Sequence, residues 1–237
     1  MGQFPLLSAR VRRIRQVRLS VMFPPAQSKE KEMKTLFALV ATACLSSAAS
    51  AELINGHFND GNTGWNVFNG AGIFDYAGNP AVPFESHAAA TWGAWTGPGG
   101  YSGVAQDIEA GTWAEGDTIH YGAHAFVENP LFADNIGYVA LNFFGADGNW
   151  WFNHTTDNVH NGHMNGDIHH FSNSLTLDAG AASAARIEFV IIFHQPWDDG
   201  SDSGAIIWDD AYANVVPTPG ALALLGLAGL AGRRRRR

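Results

Sequence analysis

The chain has almost no cysteine, since Cys44 is the only one among 237 residues. A disulfide framework within the chain is therefore excluded. A domain that works outside the cell must then be held together by its apolar core, with or without a metal ion. Residues 52–216 also lack a convincing amphipathic helix, which argues against a helical bundle.

Basic residues are nearly absent from the middle of the chain. Arg186 is the one Lys or Arg between positions 52 and 217, against 20 of the 22 acidic residues, so this span has a formal net charge of −19 (1 − 20). The other basic residues lie towards the two ends of the chain. An acidic surface repels phosphate backbones and anionic membranes, so nucleic acid is excluded as a partner. It suits cations, neutral ligands or a salty medium.

Motifs for covalent catalysis are missing as well. There is no serine nucleophile elbow, and Cys44 lies in a segment that is predicted to be removed. The glutamates of the middle segment are scattered and none belongs to a distinctive motif: Glu85, Glu109, Glu115, Glu128 and Glu188. The sequence therefore predicts a protein that is not an enzyme.

Residues 33–51 have the three parts of a secretory signal peptide. Met33 and Lys34 give a start and a positive charge, residues 36–45 are apolar, and residues 49–51 are small, as signal peptidase requires. We predict a signal helix here and a mature chain that begins at Glu52. Residues 1–32 are basic and carry no core pattern, and we interpret them as an over-extended reading frame or a long, disordered n-region.

The C-terminal residues 217–237 form a second targeting segment. Val216, Pro217, Thr218 and Pro219 are followed by an apolar stretch at 220–232 and by five arginines at 233–237. Thirteen helical residues span about 20 Å, which is short of the ~30 Å hydrocarbon core. The arginines are expected to remain cytoplasmic. We therefore predict a short apolar helix that inserts into the membrane transiently and leaves residues 52–216 outside.

This tail resembles the PEP-CTERM sorting signal of bacteria that make exopolysaccharide, with Thr218 where that family usually has Glu. The resemblance implies that an exosortase-type membrane protease recognises and cleaves the tail. It also implies a destination at the cell surface, in the envelope or in the extracellular matrix.

The middle segment, 52–216, is predicted to be an all-β domain. Short stretches rich in β-branched and aromatic residues alternate with Gly, Asn, Asp and Pro. They predict strands at 65–68, 88–92, 103–108, 117–127, 137–144, 171–177, 186–193 and 205–215, with a hairpin turn at 146–149. Residues 119, 121, 123 and 125 should share one face, and 187–193 should form a central strand. Eight strands without intervening helices predict a β-sandwich or jelly roll.

Three stretches of this segment resemble the galactose-binding-like jelly roll found in many carbohydrate-binding modules. They are Leu53-Ile54-Asn55-Gly56-His57-Phe58 with Gly64-Trp65, then residues 101–118 with Gly103, Gln106 and Ile108, and finally the closing stretch 206–212. In that fold the first and last strands often share a structural Ca²⁺. The resemblance therefore implies a Ca²⁺ site at Asn59, Asp60, Asp209 and Asp210, with Asn59 in a position that usually holds Glu.

Tryptophans are the candidate ligand-binding residues. Trp65 and Trp208 fit the core. Trp95 lies in a Gly-rich loop, Trp150 and Trp151 follow the predicted turn, and Trp197 lies beside Pro196 in an acidic stretch. Flat aromatic rings in such positions bind the apolar faces of sugars. These four tryptophans are therefore the predicted carbohydrate contacts.

Residues 153–170 contain five of the ten histidines, including His160 and His163 at a spacing that offers two nitrogens to a transition metal. The alternative interpretation, which we favour, is a mobile polar loop. The acidic stretch 198–202 is likewise interpreted as a solvated turn rather than half of a calcium loop.

Three functional hypotheses follow. The leading one is an exported, surface-sorted, non-enzymatic protein that binds extracellular polysaccharide weakly. The second is a purely structural matrix or adhesion protein without a small ligand. The third is a polysaccharide-active enzyme.

Overall fold

The computed structural model describes residues 53–84, 86–93, 100–109, 112–132, 134–196 and 204–218. The predicted signal helix, the C-terminal apolar helix, Trp95, Trp197, the acidic stretch 198–202 and Pro219 lie outside these ranges. Across the described residues, no helix is long and apolar enough to span a bilayer.

Ten strands make up the described domain: β1 (Asn66–Phe68), β2 (Gly72–Asp75), β3 (His87–Trp92), β4 (Gly100–Ile108), β5 (Thr118–Asn129), β6 (Ile136–Phe144), β7 (Trp150–Thr155), β8 (His169–Thr176), β9 (Arg186–Gln195) and β10 (Ala205–Val216). A short helix, α1 (Ala179–Ala182), and a 3-10 turn at Asn161–His163 complete it.

The strands form two five-stranded sheets. Sheet one has the order β1-β4-β9-β6-β7, and sheet two has the order β2-β3-β10-β5-β8. The strand pairs are antiparallel. This arrangement confirms the predicted all-β sandwich and is consistent with a jelly roll. All eight predicted strands are present, and the predicted hairpin turn joins β6 to β7.

The core lies between the sheets and follows the period of two expected of strands. On β5 the predicted face is buried, with Ile119, Tyr121 and Ala123 fully inaccessible. The predicted central strand is β9, the middle strand of sheet one. Trp208 is also fully buried, and its indole N–H donates to the Thr91 hydroxyl at 2.8 Å. The prediction that Trp65 and Trp208 are core residues is therefore confirmed.

The opening loop, residues 53–64, attaches the start of the domain to its last strand. The backbone N–H of Ala211 on β10 donates to the carbonyl oxygen of Gly56 at 2.9 Å. A Cβ at position 56 would overlap the carbonyl oxygen of Ala211, so only glycine permits this approach. The next residue, His57, is thereby held beside β10.

The closing strand leads directly into the predicted sorting motif. Val216 is the last residue of β10, and Pro217 and Thr218 follow it. The backbone N–H of Thr218 donates to the Asp117 carboxylate at 2.9 Å. The first part of the motif therefore lies against the domain.

Candidate functional site

The outer face of sheet one carries an aromatic end, a floor of small residues and a polar end. The pairing of neighbouring strands places these residues side by side across the sheet. Between β4 and β9, Tyr101 pairs with His194, Ala105 with Val190, and Asp107 with Glu188. On the other side of β9, Ile192 pairs with Tyr138, Val190 with Ala140, and Glu188 with Asn142. Because side chains alternate along a strand, all of these residues point away from the core.

At the aromatic end, the ring of Tyr101 stacks on His194, with 4.4 Å between centroids and 7° between planes. Tyr101 is 42% exposed, so one of its faces is available to a ligand. Burial, together with the neighbouring Tyr101, raises the pKa of Tyr138 to about 12. Burial lowers the pKa of His194. At neutral pH this end is therefore an uncharged, flat aromatic surface.

The floor consists of Ala105, Ala140 and Val190, which are buried although they lie on the outer face. Phe68, Tyr138 and Ile192 pack against them from one side. Neighbouring side chains cover these three residues almost completely, so they form a closed apolar layer between the aromatic end and the polar end.

The polar end is organised by Arg186. Its guanidinium donates to Asp107 at 3.2 Å and to Glu188 at 3.4 Å, and it lies 3.8 Å from the centroid of the Phe144 ring. The side-chain amide of Asn142 donates to the other oxygen of Glu188 at 3.1 Å. These contacts fix two carboxylates side by side with oxygens that remain partly exposed.

A cleft of ≈ 330 Å³ runs along this polar end and includes Asn66, Ala105, Asp107, Arg186 and Glu188 in its lining. Its lining presents hydrogen-bond acceptors, a cationic donor and side-chain amides beside the apolar side chains of Ile54 and Ala105. A sugar needs this combination, because its ring has apolar faces and its hydroxyls both donate and accept hydrogen bonds.

Two of the predicted ligand residues lie on the edge strand of this sheet. Trp150 and Trp151 begin β7 and are 57% and 43% exposed. Trp150 pairs with Phe144 at a register shift, which interrupts the strict alternation expected of adjacent strand residues. The structure therefore brings Trp150 next to the strand that carries Phe144 and Asn142, at the margin of the polar end.

The histidine-rich segment connects two strands through a short 3-10 turn. Its first residues belong to β7, its last belong to β8, and a 3-10 turn lies between them. His163 Nδ1 accepts from the backbone N–H of His160 at 3.1 Å, and His160 Nδ1 accepts from that of Gly162 at 3.0 Å. One nitrogen of each imidazole is therefore occupied in capping the turn, which explains the spacing of the pair without a metal.

The Ca²⁺ site expected at Asn59, Asp60, Asp209 and Asp210 stays a prediction. Asn59 and Asp60 are exposed in the opening loop, where the backbone N–H of Asp60 donates to Asn55. Within the described ranges, the acidic and histidine side chains whose donor atoms converge within 4.8 Å are His57, Asp209 and Asp210. A hard cation takes six to eight oxygens, whereas this group offers a nitrogen and two carboxylates. These three side chains alone do not complete a Ca²⁺ shell, which also draws on backbone carbonyl oxygens and water.

Sequence reasoning missed the polar end of sheet one. In the sequence Glu188 is one of several scattered glutamates, and no motif distinguishes Asp107 or Asn142. One signal was available, because Arg186 is the sole basic residue of the middle segment. A lone cation in so acidic a span indicates a specific ion-paired position.

No protein-family model and no curated protein matches this chain. Solved structures do match. A cyclase from Fischerella sp. TAU has a TM-score of 0.52 and 14% identity, over 72% of this chain and 98% of the cyclase. The C-terminal family 22 carbohydrate-binding module of Clostridium thermocellum Xyn10B has a TM-score of 0.48 and 15% identity, over 72% and 98%.

The enzymatically active domain of tailspike protein 4 from bacteriophage CBA120 has a TM-score of 0.46 and 13% identity, over 70% of this chain. This chain spans only 22% of the tailspike chain. At these identities the likeness to the cyclase shows a shared fold.

Proposed function

We propose that this protein is exported, sorted to the cell surface and non-enzymatic, and that it binds carbohydrate weakly in the envelope or exopolysaccharide matrix. The observation that carries the binding proposal is the outer face of sheet one. There, the Tyr101–His194 stack and the Arg186–Glu188 ion pair lie on the same face, on either side of a floor of small residues.

The charge of the domain narrows the ligand class. With a net charge of −19 over residues 52–217, an anionic polymer would be repelled, so the ligand is a neutral polysaccharide. One sugar ring stacks on Tyr101, and the hydroxyls of a neighbouring sugar meet Glu188, Asp107 and Asn142. Trp150 and Trp151 extend the aromatic surface at the sheet edge. The few aromatic contacts and the shallow cleft account for weak binding.

The test is a glycan array followed by affinity electrophoresis with the intact protein. Tyr101→Ala removes an exposed ring, and Glu188→Gln removes a charge while keeping the shape of the side chain. Each should weaken binding at least about tenfold, which corresponds to about 1.4 kcal/mol. Ser172→Ala, an exposed position on β8 of the other sheet, serves as the matched control and should bind as the parent does.

The same experiment separates the other two hypotheses. If the parent protein binds no glycan at all, a purely structural matrix or adhesion role is favoured. If it releases reducing sugar, and Glu188→Gln or Asp107→Asn abolishes the release, the protein is a polysaccharide-active enzyme. Binding that persists in both Tyr101→Ala and Glu188→Gln would place the ligand elsewhere.

Export and sorting rest on the two terminal segments of the sequence. We propose that signal peptidase cleaves before Glu52 and that an exosortase-type protease removes the tail after the helix at 220–232 has inserted transiently. Mass spectrometry of the protein from its native host should then show an N-terminus at Glu52 and no arginines 233–237. A mature protein that retains those arginines would contradict the cleavage step.

A further inference from the structure

The outer face of sheet two carries a second cluster of polar side chains, independent of the carbohydrate proposal. Asp209 on β10 is registered opposite His124 on β5, which in turn is opposite His170 on β8. His57 joins them from the opening loop, because Gly56 is hydrogen-bonded to Ala211. Residues distant in sequence therefore meet at one point where the first loop contacts the last strand.

Both His57 and His124 lie within hydrogen-bonding distance of the Asp210 carboxylate. His57 Nδ1 lies 2.6 Å from Asp210 Oδ1, and His124 Nδ1 lies 3.2 Å from Asp210 Oδ2. One donor atom from each of His57, Asp209 and Asp210 lies within 4.8 Å of the others. The side chain of His57 is 73% exposed, so an ion can enter from solvent.

The backbone is bent so that two consecutive aspartates both lie at this point. A register shift between Asp209 and Tyr212 marks a bulge in the β5–β10 ladder. At the bulge, Asp210 has φ 51°, a left-handed conformation that a non-glycine residue adopts only at a cost. Without the bulge, adjacent strand residues would point to opposite faces.

Asp209 is a buried carboxylate with little compensation. It is 8% exposed, and the hydrogen bond described for its carboxylate is to the adjacent backbone N–H of Asp210 at 2.7 Å. Arg186, the one basic residue of the described domain, lies on sheet one with Asp107 and Glu188. A second carboxylate, Asp210, lies beside it. Such a site is favourable for a bound cation.

The donor types decide which cation fits. An imidazole nitrogen and two carboxylate oxygens form a borderline set that divalent transition metals prefer, whereas Ca²⁺ requires a larger shell of oxygens. We propose that His57, Asp209 and Asp210 bind a divalent transition-metal ion, with Zn²⁺ as the representative. His124 is a positioning residue, whose imidazole holds the second oxygen of Asp210 and orients the carboxylate.

The consequence of this site is a cross-link between the first loop and the last strand of the domain. An ion bound to the folded state alone raises the melting temperature. Metal availability would then control how firmly His57 and the opening loop are held on β10.

The test uses the full-length protein stripped with EDTA and titrated separately with ZnCl₂ and CaCl₂ at pH 7.5, followed by calorimetry and thermal melting. We expect one Zn²⁺ per chain and a melting temperature that rises by about 5 °C or more at saturation. His57→Gln and Asp210→Asn should abolish both effects. Asn tolerates the left-handed conformation at position 210, so this variant is expected to fold.

His160→Gln is the matched control, since it removes a histidine of the 3-10 turn and leaves the proposed ligands in place. It should bind Zn²⁺ as the parent does. Three outcomes would overturn the proposal: no Zn²⁺ binding by the parent, Zn²⁺ binding that survives His57→Gln and Asp210→Asn but not His160→Gln, or a larger thermal shift with Ca²⁺ than with Zn²⁺.

Discussion

The side-chain amide of Gln106 pairs with both backbone groups of Ile54. Its oxygen accepts from the Ile54 N–H at 2.5 Å, and its nitrogen donates to the Ile54 carbonyl oxygen at 2.9 Å. The same nitrogen donates to the carbonyl oxygen of Gly64 at 3.0 Å. One buried glutamine on β4 therefore holds both ends of the opening loop, and with it the position of His57.

Replacing this glutamine should destabilise the domain. Gln106→Leu leaves the two backbone groups of Ile54 and the carbonyl of Gly64 without their partner, at a cost of about 2 kcal/mol or more in the free energy of unfolding. Gln106→Glu keeps the acceptor and the shape but places a buried carboxylate against the carbonyl oxygens of Ile54 and Gly64, so at neutral pH it should cost at least as much. Urea denaturation measures both variants. Equal stability of Gln106→Leu and the parent would show that the loop does not depend on this residue.

The approach of Gly56 to β10 provides a second prediction. Gly56→Ala places a methyl group against the carbonyl oxygen of Ala211, so the loop must move away from the strand, at a cost of about 1–3 kcal/mol. Gly180→Ala is the matched control, because this glycine lies in α1 with only the Asp178 carboxylate close to the added methyl, at 3.3 Å. The control should be neutral or slightly stabilising. Thermal melting should therefore separate the two variants, and equal melting temperatures would contradict the argument.

The buried hydrogen bond between Trp208 and Thr91 provides a third prediction. Thr91→Val preserves shape but removes the acceptor of a fully buried indole N–H, which costs about 1–3 kcal/mol. Thr118→Val is the control, because it makes the same chemical change where the Thr118 hydroxyl forms a solvent-exposed hydrogen bond with the Thr176 hydroxyl. It should alter the free energy of unfolding by less than about 0.5 kcal/mol. If the two variants lose the same stability, the buried bond is not the cause.

Several of the strands that the sequence predicts have a distinctive pattern of burial. On β5, residues 119, 121, 123, 125 and 127 are buried because that face packs in the core, and residues 187–193 of β9 are apolar except for Glu188. The strands that the sequence did not predict, β2 and β7, are edge strands. β7 has no buried residue, so its residues carry no alternation, and its position is determined by pairing with β6.

Less of the candidate site than of the fold could be predicted from the sequence. Asp107 and Arg186 are 79 positions apart, and their contact depends on the register between β4 and β9. Composition could single out Arg186 but not its partners, because the span holds 20 acidic residues of similar context. The convergence of His57 with Asp210 depends in the same way on a loop contact and a strand bulge, neither of which has a periodic signature.

The pH dependence of stability should report on His154. This residue lies on β7 opposite Leu141. Its Nδ1 is 2.7 Å from the Tyr121 hydroxyl oxygen. The same hydroxyl group donates a hydrogen bond to the backbone carbonyl oxygen of His154 at 2.8 Å. Burial lowers the pKa of His154 below its ordinary value of 6.5. The unfolded chain therefore takes up a proton at a higher pH than the folded domain, so stability is fully present above about pH 6.5 and is lost as the pH falls below it.

His154→Asn removes this titrating group and keeps a hydrogen-bonding atom near the position of Nδ1. Burial also lowers the pKa values of His163, His170 and His194, so part of the acid sensitivity will remain. We expect the free energy of unfolding to decline between pH 7.5 and 5.5 in both proteins and to decline less in His154→Asn. Urea denaturation at several pH values measures the two slopes. Parallel profiles would show that the charge on His154 is not what opposes folding in acid.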